Sequence, residues 1–306
     1  MEPGRGHMDL NTLFSCNESL ITSERATMDT PVSGTTPPPE DELFIEYPLG
    51  CSVVNHIVKL VERPYRLRPE GLTIISPSNN GKTFLMLKSI NIITQKYLDS
   101  SSPSVHIPVV YIRAPVKANR RRFFANLCDK VRVPVSSRMQ IDFLAYRAFN
   151  AMKDAGVKGV FIDELHHLVA GTKKDCGALL DDIKIIGDDL GIPVICAGTM
   201  RAYMAIEKDE QYLSRLPPIE LPMWVLDEQF VGLLRSLELH LGIVSGIIAN
   251  QQIGELIWTY SKGLLGRIIR IVIDAQDHAK QDGNTTILAS HIKRAGSKDL
   301  PWSQRG

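Results

Sequence analysis

The chain has 306 residues, 44% of them apolar and 23% charged, the balance of an ordinary folded protein with room for one large or two modest domains. A formal charge of +1 excludes nucleic-acid or membrane binding through overall charge and leaves only local clusters to carry either. The five cysteines (Cys16, Cys51, Cys128, Cys176, Cys196) are scattered and form no C-x-x-C pair, and no apolar run approaches the roughly 20 residues of a membrane span, which together argue for a reducing, cytoplasmic setting with no membrane contact.

Residues 1–42 are polar and turn-rich, with Pro37, Pro38 and Pro39 in succession, and are predicted to be a disordered tail. Val54, Ile57, Val58 and Val61 then share one face of a helix predicted over Ser52 to Arg63. A strand follows at Gly71 to Ser76 and a helix from Gly81 to Leu98. His106 to Ala114 reads as a second strand, followed by helices at Asn119 to Lys130 and Met139 to Asp154. Val157 to Asp163 is a third strand, Gly177 to Leu190 a helix, and Ile192 to Thr199 a fourth strand. Pro218 to Trp224 is a candidate fifth. Apolar strands alternating with amphipathic helices imply an α/β fold with a parallel sheet covered on both faces. Beyond Asp227 the pattern is purely helical, with helices at Gln229 to Leu241, Ala249 to Tyr260 and Leu264 to Gln281, so a domain boundary is expected near residue 226.

The run Ser76 to Phe84, "SPSNNGKTF", joins the first strand to the first long helix. That is the setting of a phosphate loop, in which backbone N–H groups and a helix N-terminus converge on anionic oxygens. Gly81, Lys82 and Thr83 stand in the required order, with Thr83 placed for magnesium. Ser76 replaces the first glycine, which a serine tolerates if its φ stays negative. Asn79 and Asn80 take left-handed turns more readily than most residues. About eighty residues on, the third strand ends in Asp163 and Glu164, which puts two carboxylates beside the loop at the carboxyl edge of the sheet. Asp163 is expected to hold magnesium and Glu164 to polarise the attacking water. The neighbouring His166 and His167 lack the H-E-x-x-H spacing of a zinc site and are expected to pack or cap.

These motifs resemble those of AAA+ ATPases. The stretches "DELHHLVAGT", "IKIIGDDLGIPVICAGTMRA", "DEQYLSRL", "LPMW" and "SKGLLGRIIRIVIDAQ" resemble, more narrowly, the TniB family of transposition ATPases, related to TnsC. The resemblance runs roughly from Leu43 to Ile292. It implies a P-loop AAA+ three-layer core with a five-stranded parallel sheet over 43–225, a small all-helical lid over 226–296 and a tail at 297–306. It implies ATP and Mg2+ as cofactors, with Ser76, Asn79, Asn80, Gly81, Lys82, Thr83, Phe84, Asp163 and Arg267 around the nucleotide and Thr83 and Asp163 on the metal. Thr199 matches the polar sensor position; it could equally cap a helix beginning at Met200. Arg215 matches the arginine finger that reaches a neighbouring subunit, or is a surface arginine before a turn. Arg267 matches the lid arginine, or is an ordinary helix charge. Leu216 departs from the family, which usually carries an aromatic residue there.

The same resemblance implies double-stranded DNA, a transposase of the DDE type, a TniQ-type targeting factor and further copies of the chain, in a ring or a helical filament, as partners in a bacterial cytoplasm. Lys117, Arg120 and Arg121 in "RAPVKANRRR", with Lys173 and Lys174 in "GTKK", form basic loops suited to DNA phosphates or to a solvated face. The function implied is ATP-dependent regulation of DNA transposition through assembly on the target. The alternatives are a nucleotide-locked DNA scaffold with negligible hydrolysis, and a helicase-loader-like ATPase.

Overall fold

The computed structural model describes residues 47–65, 67–99, 107–207 and 210–297. The tails expected at 1–42 and 297–306 lie outside them, apart from Ser297. Helix α1 (Pro48–Glu62) begins four residues before the predicted Ser52, because Pro48 occupies its first turn, where no N–H is needed. It leads to β1 (Leu72–Ile75), α2 (Lys82–Asp99), β2 (Val109–Arg113), α3 (Arg120–Lys130), α4 (Ile141–Asp154) and β3 (Gly159–Asp163). A 3-10 segment (Leu165–Ala170) precedes α5 (Lys173–Leu190), which gains a turn over the prediction because the Thr172 hydroxyl accepts the Asp175 N–H. The chain continues with β4 (Val194–Gly198), α6 (Met200–Ile206), α7 (Glu210–Arg215) and β5 (Pro218–Glu220).

All strand pairs are parallel, in the order β2-β3-β4-β1-β5. The two-residue period of the strands divides their side chains between two cores. Phe161, Ile195, Leu72 and Ile74 pack under α1 and α2 with Ile57 and Leu85. Val160, Ile162 and Cys196 face the other way, onto Phe123, Phe124, Leu144, Leu179 and Ile183 of α3, α4 and α5. Burial on both faces raises the Cys196 thiol to about 12, so it behaves as a core hydrophobe. This is the three-layer α/β arrangement expected, with β1 inside the sheet and its carboxyl end open to the loop that follows.

The C-terminal region is helical: α8 (Glu228–Leu241), α9 (Gln251–Ser261), α10 (Leu265–Gln281) and α11 (Ala289–Ser297). The last of these was not predicted. These helices share a core of Phe230, Leu234, Ile257, Ile268, Ile271 and Ile292, which also takes in Tyr47 at the start of α1. Tyr47 meets Trp224 edge to face at 5.2 Å, so the lead-in to α1 packs with the helical region. Buried Glu238 accepts the N–H groups of Gly246, Ile248 and Ala249, which folds the turn before α9 around one carboxylate. Among the described residues no helix is long and apolar enough to cross a membrane.

Candidate functional site

The loop after β1 has the conformation its residue types allow. Ser76 is buried and its N–H donates to the Gly198 carbonyl of β4 at 3.2 Å. It is not among the residues with positive φ, so the missing glycine costs no backbone strain there. The left-handed positions fall instead on Asn79 (φ 62) and Gly81 (φ 85). The Lys82 ammonium lies 2.7 Å from the Pro77 carbonyl, 3.0 Å from that of Ser76 and 3.3 Å from the Ser76 hydroxyl. Burial pulls its pKa below the ordinary lysine value, while the Glu164 and Asp163 carboxylates push it back up. Phe84 follows half-buried on α2.

Asp163 closes β3 and is almost fully buried. Its Oδ2 accepts the Thr83 hydroxyl at 2.6 Å and the Tyr111 hydroxyl at 3.1 Å, and its Oδ1 accepts the Glu164 N–H at 2.7 Å. Thr83 and Asp163, eighty residues apart, are thus in direct contact. Tyr111 escaped the sequence reading, because in a run of strand residues its side chain is indistinguishable from core. Burial and the Asp163 carboxylate raise its phenol to about 12, so it remains a proton donor to that carboxylate. Arg113 ends β2 opposite Asp163 in the strand register, and its pKa is raised chiefly by its hydrogen bond to Tyr111.

Glu164 has φ 58, an uncommon conformation for a residue with a side chain, and one found disproportionately at functional sites. Its Oε2 stands 3.0 Å from His166 Nδ1. Glu164, His166 and His167 bring donor atoms within 4.8 Å of one another. The two imidazole rings lie tilted at 58° with centroids 4.5 Å apart, and His167 Nδ1 lies 3.4 Å from the Ala114 carbonyl. Because the group includes Glu164, the histidines belong to the same site as the phosphate loop.

Thr199 immediately follows β4, the strand beside β1, and so stands at the same carboxyl edge; its side chain makes no capping bond to α6. From the helical region, α10 reaches the loop directly. Gly266 N–H donates to the Asn79 carbonyl at 3.0 Å, and half-buried Arg267 is the next residue in that first turn. The loop, both acids, Thr199 and the start of α10 therefore gather in one place.

Arg215 lies elsewhere. Its carbonyl accepts the N–H of Gly71, the residue before β1, and its guanidinium pairs with Asp188 near the end of α5. That is the amino edge of the sheet, about five strand residues or roughly 16 Å from its own phosphate loop. The basic residues also divide. Arg120 forms a two-pronged pair with Asp182 at 2.5 and 2.7 Å, and Arg121 donates to the carbonyls of Ser136, Ser137 and Met139. Both therefore brace the α3–α5 layer. Lys117, Lys173 and Lys174 are exposed. Their loops touch, since a Cβ on Gly171 would come within 2.9 Å of Ala118 Cβ.

Comparison with known proteins agrees with this architecture. A family model described as "Bacterial TniB protein" matches residues 39–226. Its match stops before the helical region that the resemblance in the sequence also took in. No functionally curated protein matches the chain in sequence. The fold is similar to that of the ORC1 protein of Aeropyrum pernix, whose structure is a complex with DNA, with TM-score 0.63 at 14% identity, over 85% of this chain and 68% of that one. It is similar to Cdc6p from Pyrobaculum aerophilum, with TM-score 0.60 at 15% identity, over 89% and 70%. Domain III of the Thermotoga maritima replication initiation protein DnaA gives TM-score 0.55 at 13% identity, over 83% and 94%. The likeness establishes the AAA+ P-loop fold.

Proposed function

The chain belongs to the TniB family, and on that premise we propose that it is an ATP-dependent, DNA-binding regulator of transposition in the bacterial cytoplasm. It assembles on target DNA, recruits a DDE-type transposase with a TniQ-type factor, and is dismantled by ATP hydrolysis. The observation that carries the reading is the meeting of Lys82, Thr83, Asp163 and Glu164 at one strand edge. Residues 43–225 act as the ATPase core and 226–296 as its lid.

In this reading the loop N–H groups and Lys82 hold the phosphates. The paired Thr83 hydroxyl and Asp163 carboxylate are the donor set for Mg2+, which when bound neutralises charge on the outer phosphates. Glu164 orients a water and takes its proton as the water oxygen bonds to the terminal phosphorus and the bond to the ADP oxygen breaks. Thr199 helps position that water, and Arg267 contacts the nucleotide from the lid. Arg215, remote from its own loop, stabilises the transferring phosphoryl group in the next subunit. Lys117, Lys173 and Lys174 meet DNA phosphates without reading sequence, while Arg120 and Arg121 hold the layer that carries them.

The test is ATP turnover together with assembly state, followed by light scattering or electron microscopy, with and without double-stranded DNA. Wild type should assemble only with both ATP and DNA, and Lys82→Ala and Arg215→Ala should each abolish assembly. A wild type that assembles on DNA with ATP yet never turns it over is a nucleotide-locked scaffold. One that neither assembles nor binds ATP refutes the reading.

A further inference from the structure

The two asparagines of the phosphate loop are used differently. Asn79 supplies the left-handed turn, and its carbonyl receives the Gly266 N–H. Asn80 is only 3% exposed, and its side chain points into the protein. Its Nδ2 donates to the carbonyls of Leu221 and Pro222, each at 3.1 Å. Its Oδ1 accepts the Leu265 N–H at 3.2 Å. One side chain therefore fastens three segments together: the loop, the strap leaving β5, and the first turn of α10.

The strap continues the connection. Trp224 N–H donates to the Gly263 carbonyl at 2.8 Å, and Trp258 Nε1 donates to the Trp224 carbonyl at 2.9 Å. Gly263 has φ 72, and a Cβ there would stand 2.1 Å from the Trp224 carbonyl oxygen, so strap and helical region are in close backbone contact. All three Asn80 bonds are near the long end of the hydrogen-bond range. A loop displacement of less than an ångström breaks them unless strap and helix follow, and breaking them leaves buried polar groups without partners.

We infer that Asn80 is a positioning residue that transmits the state of the phosphate loop to the Leu221–Trp224 strap and to α10, so that the helical region follows the loop itself. The inference rests on the reading of that loop as a nucleotide site. Protein-side contacts of Asn80, and not only contacts between nucleotide and lid, then set where the helical region sits.

Hydrogen–deuterium exchange on the full chain tests it, with and without a non-hydrolysable ATP analogue. Wild type and Asn80→Ala are compared at equal occupancy, measured with a fluorescent nucleotide. Without nucleotide, the Leu265 amide should exchange about tenfold faster in Asn80→Ala. With nucleotide, wild type should slow at 76–84, 221–224 and 263–268, whereas Asn80→Ala should keep the response at 76–84 and lose more than half of it at the other two. Should Asn80→Ala fail to melt cooperatively, Asn80→Ser, which shortens the reach with less loss of volume, replaces it. An equal response in variant and wild type overturns the inference. So does a wild type that binds nucleotide without responding at 221–224, an outcome that leaves the nucleotide site standing. A wild type that binds no nucleotide removes the functional reading and the inference together.

Discussion

At the carboxyl edge of the sheet, Lys82, Thr83, Tyr111, Asp163 and Glu164 converge from three elements and mostly out of solvent, whereas at the amino edge Arg215 meets Asp188 in a partly exposed pair. The first edge has the density of contacts expected of a reaction site. The second holds Arg215, at the opposite edge of the parallel sheet from its own phosphate loop. An arginine placed there serves a neighbour's site or serves none. If it serves a neighbour, the contact is head to tail, because the two edges are different surfaces of one chain, and such contacts build rings or helical filaments.

Subunit mixing breaks this comparison most severely. Lys82→Ala and Arg215→Ala should each lose at least about a hundredfold in ATP turnover. An equal mixture should recover turnover that neither variant shows alone, since a head-to-tail interface can then pair the intact loop of one variant with the intact arginine of the other. A mixture as inactive as its components would place Arg215 outside catalysis. Next in size, Glu164→Gln should lower turnover by about 10²- to 10³-fold while the ATP-bound assembly on DNA persists, read by stopped turnover and disassembly kinetics. Rapid disassembly of that variant would remove Glu164 from the water.

A smaller effect concerns DNA. Replacing Lys117, Lys173 and Lys174 together by Glu should weaken duplex binding and reduce the slope of log affinity against log salt by about 2–3. The same change at Arg121 should instead lower thermal stability, because its guanidinium ties three carbonyls near the start of α4. The smallest is the sharpest for the amino edge. Asp188→Ala should cost at most about 1 kcal/mol in stability, the range of a partly exposed pair, and keep turnover within a few-fold. If Arg215 is only structural, Asp188→Ala and Arg215→Ala should be equally mild and non-additive.

What could be read from the sequence follows the distance over which each feature is specified. The strand, loop and helix of 72–99 lie within one local pattern, and the sequence reading placed them to within two residues. The Thr83–Asp163 contact could be anticipated because each partner ends or begins an element whose edge in a parallel sheet is fixed by topology. Tyr111 could not, since its bond to Asp163 depends on β2 lying beside β3. Nor could the work of Asn80, whose partners are 141 and 185 residues away. Arg120 and Arg121 read as a charge cluster because sequence does not reveal which basic residues find internal acceptors. Helix α11 has nine residues, too short for its apolar period to stand out.

The strand order also sets a clock for synthesis. β1 is made first, yet both of its neighbours, β4 and β5, are among the last strands to leave the ribosome. The Ser76 N–H has no sheet partner until Gly198 exists. At about 5–20 residues per second, the apolar β1 and its loop wait roughly 6–25 s in a half-made chain. The loop of 76–84 is thus among the earliest parts encoded and among the latest to find its partners, and a nascent chain does not complete that edge of the sheet until Gly198 of β4 has been translated.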